Sequence, residues 1–338
     1  MPIVVNSNVT ATAASFHLSN ANDALRKSLS RLSSGNRIVS PADDAGGMAV
    51  AYKLNSALKR TEAVHQNIQN GISYLQVQDG ALEITGKILD RIAELRTMAS
   101  DITKNSSDIE NYSKEFIELQ SQLNQVRQQK FNGISIFALN SMTASDFAPE
   151  DQLVKIGTGT FNYTNSSSAS ATATYDKYAF HLKTAASGND IDGHVSLNVI
   201  NMQFILSLGS VTGMNLGGLS NAANVATNTT TSPGTVALNG SNFIADITKV
   251  SMSDLMLAIE KLADMRAENG AEQNRLGMAS ELLRQNQTNL EAAYGRIMDA
   301  DIALESTRMA RQNVLVQSSA SMVAQANQLT NIALTVLG

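Results

Sequence analysis

The sequence predicts a mainly α chain with a β-rich outer insertion, whose first and last segments pair. Three observations predict it. Both ends carry thin apolar stripes at helical spacing on otherwise polar stretches. The segment between them is rich in Ser, Thr, Asn, Ala and Gly, with short alternating runs. Aromatics make up only 5% of the 338 residues and Trp is absent, so thin packing of long elements suits the composition better than one bulky globule.

Element by element, residues 6–33 form a first helix, with Leu18, Ala21, Leu25, Leu29 and Leu32 three or four apart and Gly35 as its stop. A turn follows, with Ser40 as N-cap, Pro41 in the first turn, and Asp43 and Asp44 where carboxylates favour the exposed amide dipoles. The second helix runs to about residue 99, striped by Ile68, Ile72 and Leu75 and then by Ile88, Ile92, Leu95, Ala99 and Ile102. A helix this long needs partners along its length. The polar loop Thr103–Asp108 breaks it, and a third helix carries Phe116, Leu119, Leu123 and Val126 on one face. Phe131-Asn132-Gly133 is a turn, and the alternating GISIFAL after it is a short strand or hairpin.

From about 142 to 250 the runs DQLVKIGTGTF, YDKYAFHLKT and GHVSLNVI are strand candidates, and SNAANVATNTTTSPGTVALNGSN reads as loop and edge material. Helix returns with Met252, Leu255, Ile259 and Leu262. A heptad-like seam follows: Leu276, Ser280, Leu283, Gln287, Leu290, Tyr294 and Ile297. A last helix spans about 300–336, with Leu304, Ala310, Leu315, Met322, Ala326, Leu329, Ile332 and Val336.

The chemistry-bearing residues are few. Cysteines are absent, so disulfides and thiolate metal sites are excluded. A net charge of −5 and no basic cluster argue against nucleic acid. No run of about 18 apolar residues argues for membrane insertion, and the first residues lack the pattern of a secretory signal. His17, His65, His181 and His194 are scattered, Gly46-Gly47 and Gly217-Gly218 sit in no phosphate loop, and no catalytic set, metal site or cofactor is expected.

Three ordered motifs remain: LSRLSSGNRIVSPADDAGGMAVAYKL from Leu29 to Leu54, the Phe131-Asn132-Gly133 turn, and GRIMDADIALESTRMARQNVLVQSSASMVAQANQ from Gly295 to Gln328. These resemble bacterial flagellin over roughly residues 1–140 and 250–338. Where many flagellins carry a proline after the QAN segment, this chain continues QLTNIALTVLG. The resemblance implies an antiparallel terminal coiled coil, an elongated helical bundle with a β-hairpin near 131–142, and a variable outer domain. It divides the chain into a core helix at 1–41, the bundle at 42–141 and 251–294, the outer domain at 142–250 and a second core helix at 295–338.

It implies no enzyme but a structural subunit that polymerises into the flagellar filament and serves swimming, with the hook–filament junction protein, or a secreted adhesin or receptor ligand, as alternatives. The expected assembly residues are Leu25, Leu29, Arg31, Leu32, Arg37, Asp43 and Asp44, with Leu304, Arg308, Arg311, Leu315, Leu329, Ile332 and Val336 at the other end. The expected partners are other copies of the chain, a flagellar cap, the junction protein and an export chaperone. The route is flagellar type III export to the extracellular filament. Arg91 and Leu95 fall in a segment that resembles the surface an innate immune receptor reads, while Lys114, beside Glu115, stands where many recognised relatives carry glutamate.

Overall fold

A computed structural model of the chain describes residues 8–138, 153–164, 170–184, 193–207 and 243–337. The predicted loop over 220–242 and the start of the DQLVKIGTGTF run lie outside the described residues. Contacts group the chain into two units, Met1–Arg60 with Gln285–Gly338, and Thr61–Arg284.

In the first unit, α1 (Val9–Ser34) pairs with α6 (Ile302–Leu337). The pair is antiparallel: Asn8 Nδ2 donates to Ala326 O at 2.8 Å near one end, and Arg31 meets Glu305 near the other. Asn8 also caps α1, accepting from Ala11 N, and Gly35 ends it at φ 72°, the left-handed geometry that glycine adopts without strain.

The second unit is built on an antiparallel seam between α2 (Ala45–Ala99) and α5 (Met252–Met298), to both of which the first unit also contributes residues. On α2, Val64, Ile68, Leu75, Leu82, Leu89 and Ile92 are buried. On α5, Leu255, Ala258, Leu262, Met265 and Leu276 answer them. On α2 the buried positions recur every seven residues from Ile68 to Leu89, and on α5 they step by three and four from Leu255 to Met265, the heptad rhythm of a coiled-coil face. Polar side chains also sit inside that seam. Asn269 Nδ2 donates to Gln78 Oε1 at 2.8 Å and to Leu75 O at 3.3 Å, and Gln78 Nε2 donates to Ile136 O at 2.8 Å. Thr85, fully buried, turns its hydroxyl back to Ala81 O.

α3 (Ser106–Arg127) starts with a capping box between Asn105 and Asp108 and buries Phe116, Leu123 and Val126 in the same core. Its Gln120 is buried too, and treats the returning chain as a strand partner. Nε2 donates to Ile244 O at 2.9 Å and Oε1 accepts from Ile244 N at 3.0 Å. Ser113 accepts from Ile247 N, and Arg96 Nε donates to Val250 O at 2.7 Å, so side chains of α2 and α3 help hold 244–250 in place.

The strands follow the predicted order. β1 (Lys130–Phe131) and β2 (Ile134–Ser135) form a hairpin, and β3 (Phe137–Ala138) begins a second sheet of order β3-β6-β5-β4 with β4 (Leu153–Thr164), β5 (Ser170–Lys183) and β6 (His194–Asn201). β3 pairs parallel with β6 and the other neighbours are antiparallel. Val195, Leu197 and Ile200 join the same buried cluster as the helices, followed by the short α4 (Met202–Leu206) with Phe204. Leu182 and Leu197 reach Gly71 of α2 so closely that a Cβ there would stand 3.0 Å from Leu182. Lys261 of α5 is wholly buried, its Nζ donating to Ser207 O at 3.0 Å and Ser207 Oγ at 3.1 Å.

Two expectations need correction. Ile102 does not continue the α2 stripe: it lies past the helix end at 98% exposure, because the chain turns at Ser100–Thr103 before another apolar position can face the core. Ser40 is not the cap of α2, since a turn over Pro41–Asp43 intervenes and the helix begins at Ala45.

The β1–β2 turn takes positive φ at both central residues, Asn132 at 49° and Gly133 at 83°. This is the hairpin geometry that Asn-Gly favours. No atom stands within 4 Å of a Cβ built on Gly133, so a substitution there meets a backbone penalty alone. Gly133→Val is expected to lose about 1–3 kcal/mol, and Gly133→Asn, which tolerates this conformation, much less; denaturant melts of the two variants check this, and equal stability would refute it.

Candidate assembly interface

The first unit contains the turn that the sequence motif around Asp43-Asp44 encodes. After Gly35 the chain runs beside the junction of α5 and α6, where Asn36 and Asp299 form an antiparallel bridge. Ala300 N donates to Gly35 O at 2.9 Å. Arg37 closes the C-terminus of α5: its Nε and Nη2 donate to Ile297 O at 3.1 and 2.8 Å, and its N–H donates to Met298 O. A guanidinium on the last carbonyls satisfies acceptors that a helix end leaves open and suits the negative end of the dipole. Ile38, Ala51 and Met298 make a small apolar cluster beneath it, with Met48, Tyr294 and Ile297 at its edge.

Asp43 and Asp44 divide the work of the turn. Asp43 pairs with Lys27 of α1 at 2.6 Å and accepts from Val39 N and Ser40 N. The Lys27 hydrogen bond, helped by those two amides, holds its carboxyl below the usual carboxylate range. Asp44 is the cap of α2, its Oδ1 accepting from Gly47 N at 2.8 Å. At the far junction Asp301 does the same for α6, accepting from Leu304 N at 3.0 Å. Glu305, 5% exposed, lies between Arg31 at 3.9 Å and Arg308 at 3.2 Å. The Arg31 Nε is buried without a hydrogen-bond partner.

Against this polar saturation the helix faces are underfilled. Of the 26 residues of α1, only Ala21 and Ser28 are buried. Between α1 and α6 lies a cavity of about 720 Å³ lined by Ala13, Ala14, Ala21, Ala24, Leu315 and Met322, among others. Large apolar side chains lie open on both helices and on the start of α2, including Phe16 at 64% exposure, Tyr52 at 67% and Val314 at 65%.

The expected assembly residues therefore fall into three groups. Leu29, Leu304 and Leu315 are exposed, with Arg308 and Arg311 beside them, and Leu25 and Leu32 are half-buried. Arg37, Asp43 and Asp44 are committed to contacts within the chain, and Arg31 leans on Glu305. Leu329, Ile332 and Val336 belong to α6, but their side chains lie outside the described residues. Phe16, Tyr52 and Val314 were missed; a search for large apolar residues off the main stripe would have found them.

In the second unit, Arg91 is paired at 2.7 Å with both Glu115 and Glu94, and Lys114 with Glu110 at 3.1 Å. Leu95 is fully buried in the core, which corrects its place on a receptor surface, because its position on the α2 seam turns it inward. The histidines are not all scattered: His181 of β5 and His194 of β6 stack edge to face at 4.3 Å. Among the described residues no group of three or more His, Cys, Asp or Glu is placed to hold a metal, and no helix is long and apolar enough to cross a membrane.

Paired terminal helices with open apolar faces around a locked polar turn are the build of an α-helical structural subunit. The family model for the bacterial flagellin N-terminal helical region matches residues 5–142, and that for the bacterial flagellin C-terminal helical region matches residues 252–337. Polar flagellin F of Vibrio parahaemolyticus is 30% identical, covering 100% of both chains. The flagellar filament 33 kDa core protein of Treponema phagedenis is 29% identical over 99% of this chain and 100% of its own. Among solved structures, a Vibrio parahaemolyticus protein described as flagellar hook-associated aligns with a TM-score of 0.51 at 17% identity, covering 76% of this chain and 100% of that one, a likeness of fold alone. The chain belongs to the bacterial flagellins, structural subunits of the flagellar filament and not enzymes.

The turn explains one glycine of the motif and not the other. A Cβ on Gly47 would clash with Asp44 Oδ2 and stand 2.9 Å from Ile38 Cδ1, whereas one on Gly46 would meet only Asp44 Oδ1 at 3.6 Å. Gly47→Ala is expected to disturb the cap and cost about 1–2 kcal/mol. Gly46→Ala should be neutral or stabilising by about 0.5 kcal/mol. Thermal melts of the pair test this, and equal effects would refute it.

Proposed function

We propose that the chain polymerises through the open apolar faces of its terminal helices, each copy filling the face that another leaves bare. The carrying observation is the mismatch within the first unit: the polar groups of its turn are largely satisfied inside the chain, while Phe16, Tyr52, Val314 and their neighbours are not covered. A surface whose complement lies on the next copy at a different place propagates without closing, which is how a filament grows. Leu25, Leu29, Leu32, Leu304 and Leu315 belong to this surface, with Arg308 and Arg311 at its rim, and Leu329, Ile332 and Val336 extend it along α6. Arg31, Arg37, Asp43 and Asp44 support it by fixing the turn from which α1 and α6 run.

In this reading the chain is exported by the flagellar type III route to an extracellular filament. A flagellar cap, the hook–filament junction protein and an export chaperone are its further partners. For an innate immune receptor, the surface offered is the ion-paired patch of Arg91 and Glu94 on α2 with Glu115 on α3, without Leu95.

Electron microscopy of purified chain seeded with filament fragments tests the proposal. The full chain is expected to give long tubular filaments, and a chain lacking 320–338 is expected to stay monomeric. Phe16→Ser, which removes an exposed side chain, should leave the melting of the monomer within about 0.5 kcal/mol while slowing filament growth about fivefold, the factor that about 1 kcal/mol of lost contact supplies. Normal growth by the truncated chain or by Phe16→Ser would refute it.

A further inference from the structure

Two carboxylates one turn apart on α5 converge on a single residue of β6. Glu268 Oε1 accepts from Asn198 Nδ2 at 2.9 Å and from Lys177 Nζ of β5 at 2.7 Å. Glu272 Oε2 accepts the backbone N–H of Asn198 at 3.0 Å. Asn198 also gives its carbonyl to Gln78 Nε2 of α2 at 3.3 Å, and Ser196 gives its carbonyl to Arg275 Nη2 at 3.3 Å. Helix side chains thus take up β6 backbone groups over 196–198, a stretch where the β3 ladder, confined to Ile200 and Asn201, does not reach. An edge left open there would be a template for another strand.

Two carboxylates and two cations meet in this seat, the cations bonded to Glu268 and to Ser196. Glu272 is 9% exposed. Facing it are Tyr74 of α2, Lys177 of β5, Asn198 of β6, and Glu268 and Arg275 of α5. Lys177 is committed to Glu268, and Arg275 lies exposed with its Nη2 on Ser196. Like charges four residues apart on a helix repel, and burial adds to the cost of ionising the second.

We propose that Glu268 and Glu272 form a proton-loaded latch that seats the β6 edge on α5, tight while the pair holds one proton and looser once both carboxylates are ionised. Burial raises the Glu272 carboxyl from 4.5 to about 7, with the Glu268 charge adding to the rise and the Asn198 N–H, Arg275 and Lys177 opposing it. Below about pH 4.5 the proton is present whether β6 is seated or released, and the latch has its full strength. Between there and about 7 the seated form keeps a proton that the released form has given up, so seating weakens as pH rises. Above about 7 the weakening is complete.

The test uses the dissociated full-length chain with 13C-labelled glutamate carboxyls. One carboxyl is expected to titrate near 7 and to be absent in Glu272→Gln. Glu268→Gln, which removes the like charge, should move that midpoint downward. Glu272→Gln keeps an acceptor for Asn198 N–H without the charge, so its melting temperature should match the unaltered chain near pH 4.5, rise above it progressively to pH 7, and hold a constant gain from there to pH 8.5. Exchange of the Asn198 amide, corrected for its intrinsic pH dependence, should quicken over the same interval in the unaltered chain and stay flat in Glu272→Gln. A Glu272 carboxyl that titrates near 4.5 would overturn the proposal even if the variants failed to fold, and so would a gain that is the same at every pH.

Discussion

The hydrogen bond between Asn269 and Gln78 is the constraint on which the second unit depends. A heptad face of Leu, Ile and Ala fits its partner almost as well after a slip of one heptad, since apolar contact is not directional. A buried amide pair is directional: after such a slip each amide would stand unpaired among aliphatic side chains, at a cost of about 1–3 kcal/mol for every unsatisfied group. The pair also places what is not helical. The same Gln78 amide reaches Ile136 O just after the hairpin and Asn198 O on β6, so the register of α2 on α5 sets where the strands dock. Gln120 repeats the device on α3, holding both backbone groups of Ile244 where the chain returns to α5.

The terminal pair is governed by the opposite condition. Its seam is made of Ala, Ser and amide side chains, which approach closely but bury little apolar area, and its large apolar residues point elsewhere. Covering a half-exposed Phe, Tyr or Val gains on the order of 1 kcal/mol, because the full value of about 1.5–3 kcal/mol applies to a side chain that starts wholly exposed. Association costs an estimated 4–15 kcal/mol in lost freedom. Two or three such side chains cannot hold two copies together. The whole set, covered by several neighbours at once, can. The same arithmetic leaves isolated copies dissociated and growing ends stable, which is the behaviour a filament subunit requires.

Much of this was legible in the sequence where the signal is local. The stripe from Leu18 to Leu32 and the stop at Gly35 give α1 to within a few residues, and Asn132-Gly133 gives a turn with both residues at positive φ. The runs around Val154, Tyr178 and Leu197 are strands of one sheet. What stayed hidden depends on partners distant in the chain. Gln78, Gln120, Asn269 and Lys261 look like surface residues because a polar side chain announces no burial until its acceptor is known, and those acceptors lie 54 to 194 residues away. The segment around Leu95 resembles a surface, yet the spacing of Leu95 from Ile88 and Ile92 marks it as core. The cap of α2 was misplaced for a local reason: Ser40, Asp43 and Asp44 can all cap, and the choice rests on Lys27 and Val39 drawing Asp43 into the turn ahead of the helix.

That choice bears on how the motif around Asp43-Asp44 serves assembly. Its charged and glycine residues suggest a surface for another molecule, but the geometry spends them inside the chain. Arg37 caps α5, Asp43 ties α1 to the turn, Asp44 caps α2, and Gly47 leaves room for Asp44 and Ile38. Polar groups committed in this way are poor glue, since a neighbour would have to break a bond to make one. What they supply is direction. Three helix ends, the C-terminus of α1, the start of α2 and the junction of α5 with α6, are fixed to one another by bonds of definite length, and the apolar faces of α1 and α6 inherit that geometry. In the proposed assembly, the non-directional attraction between copies acts on surfaces whose orientation has already been set, so specificity and adhesion come from different residues of the same turn-and-helix assembly.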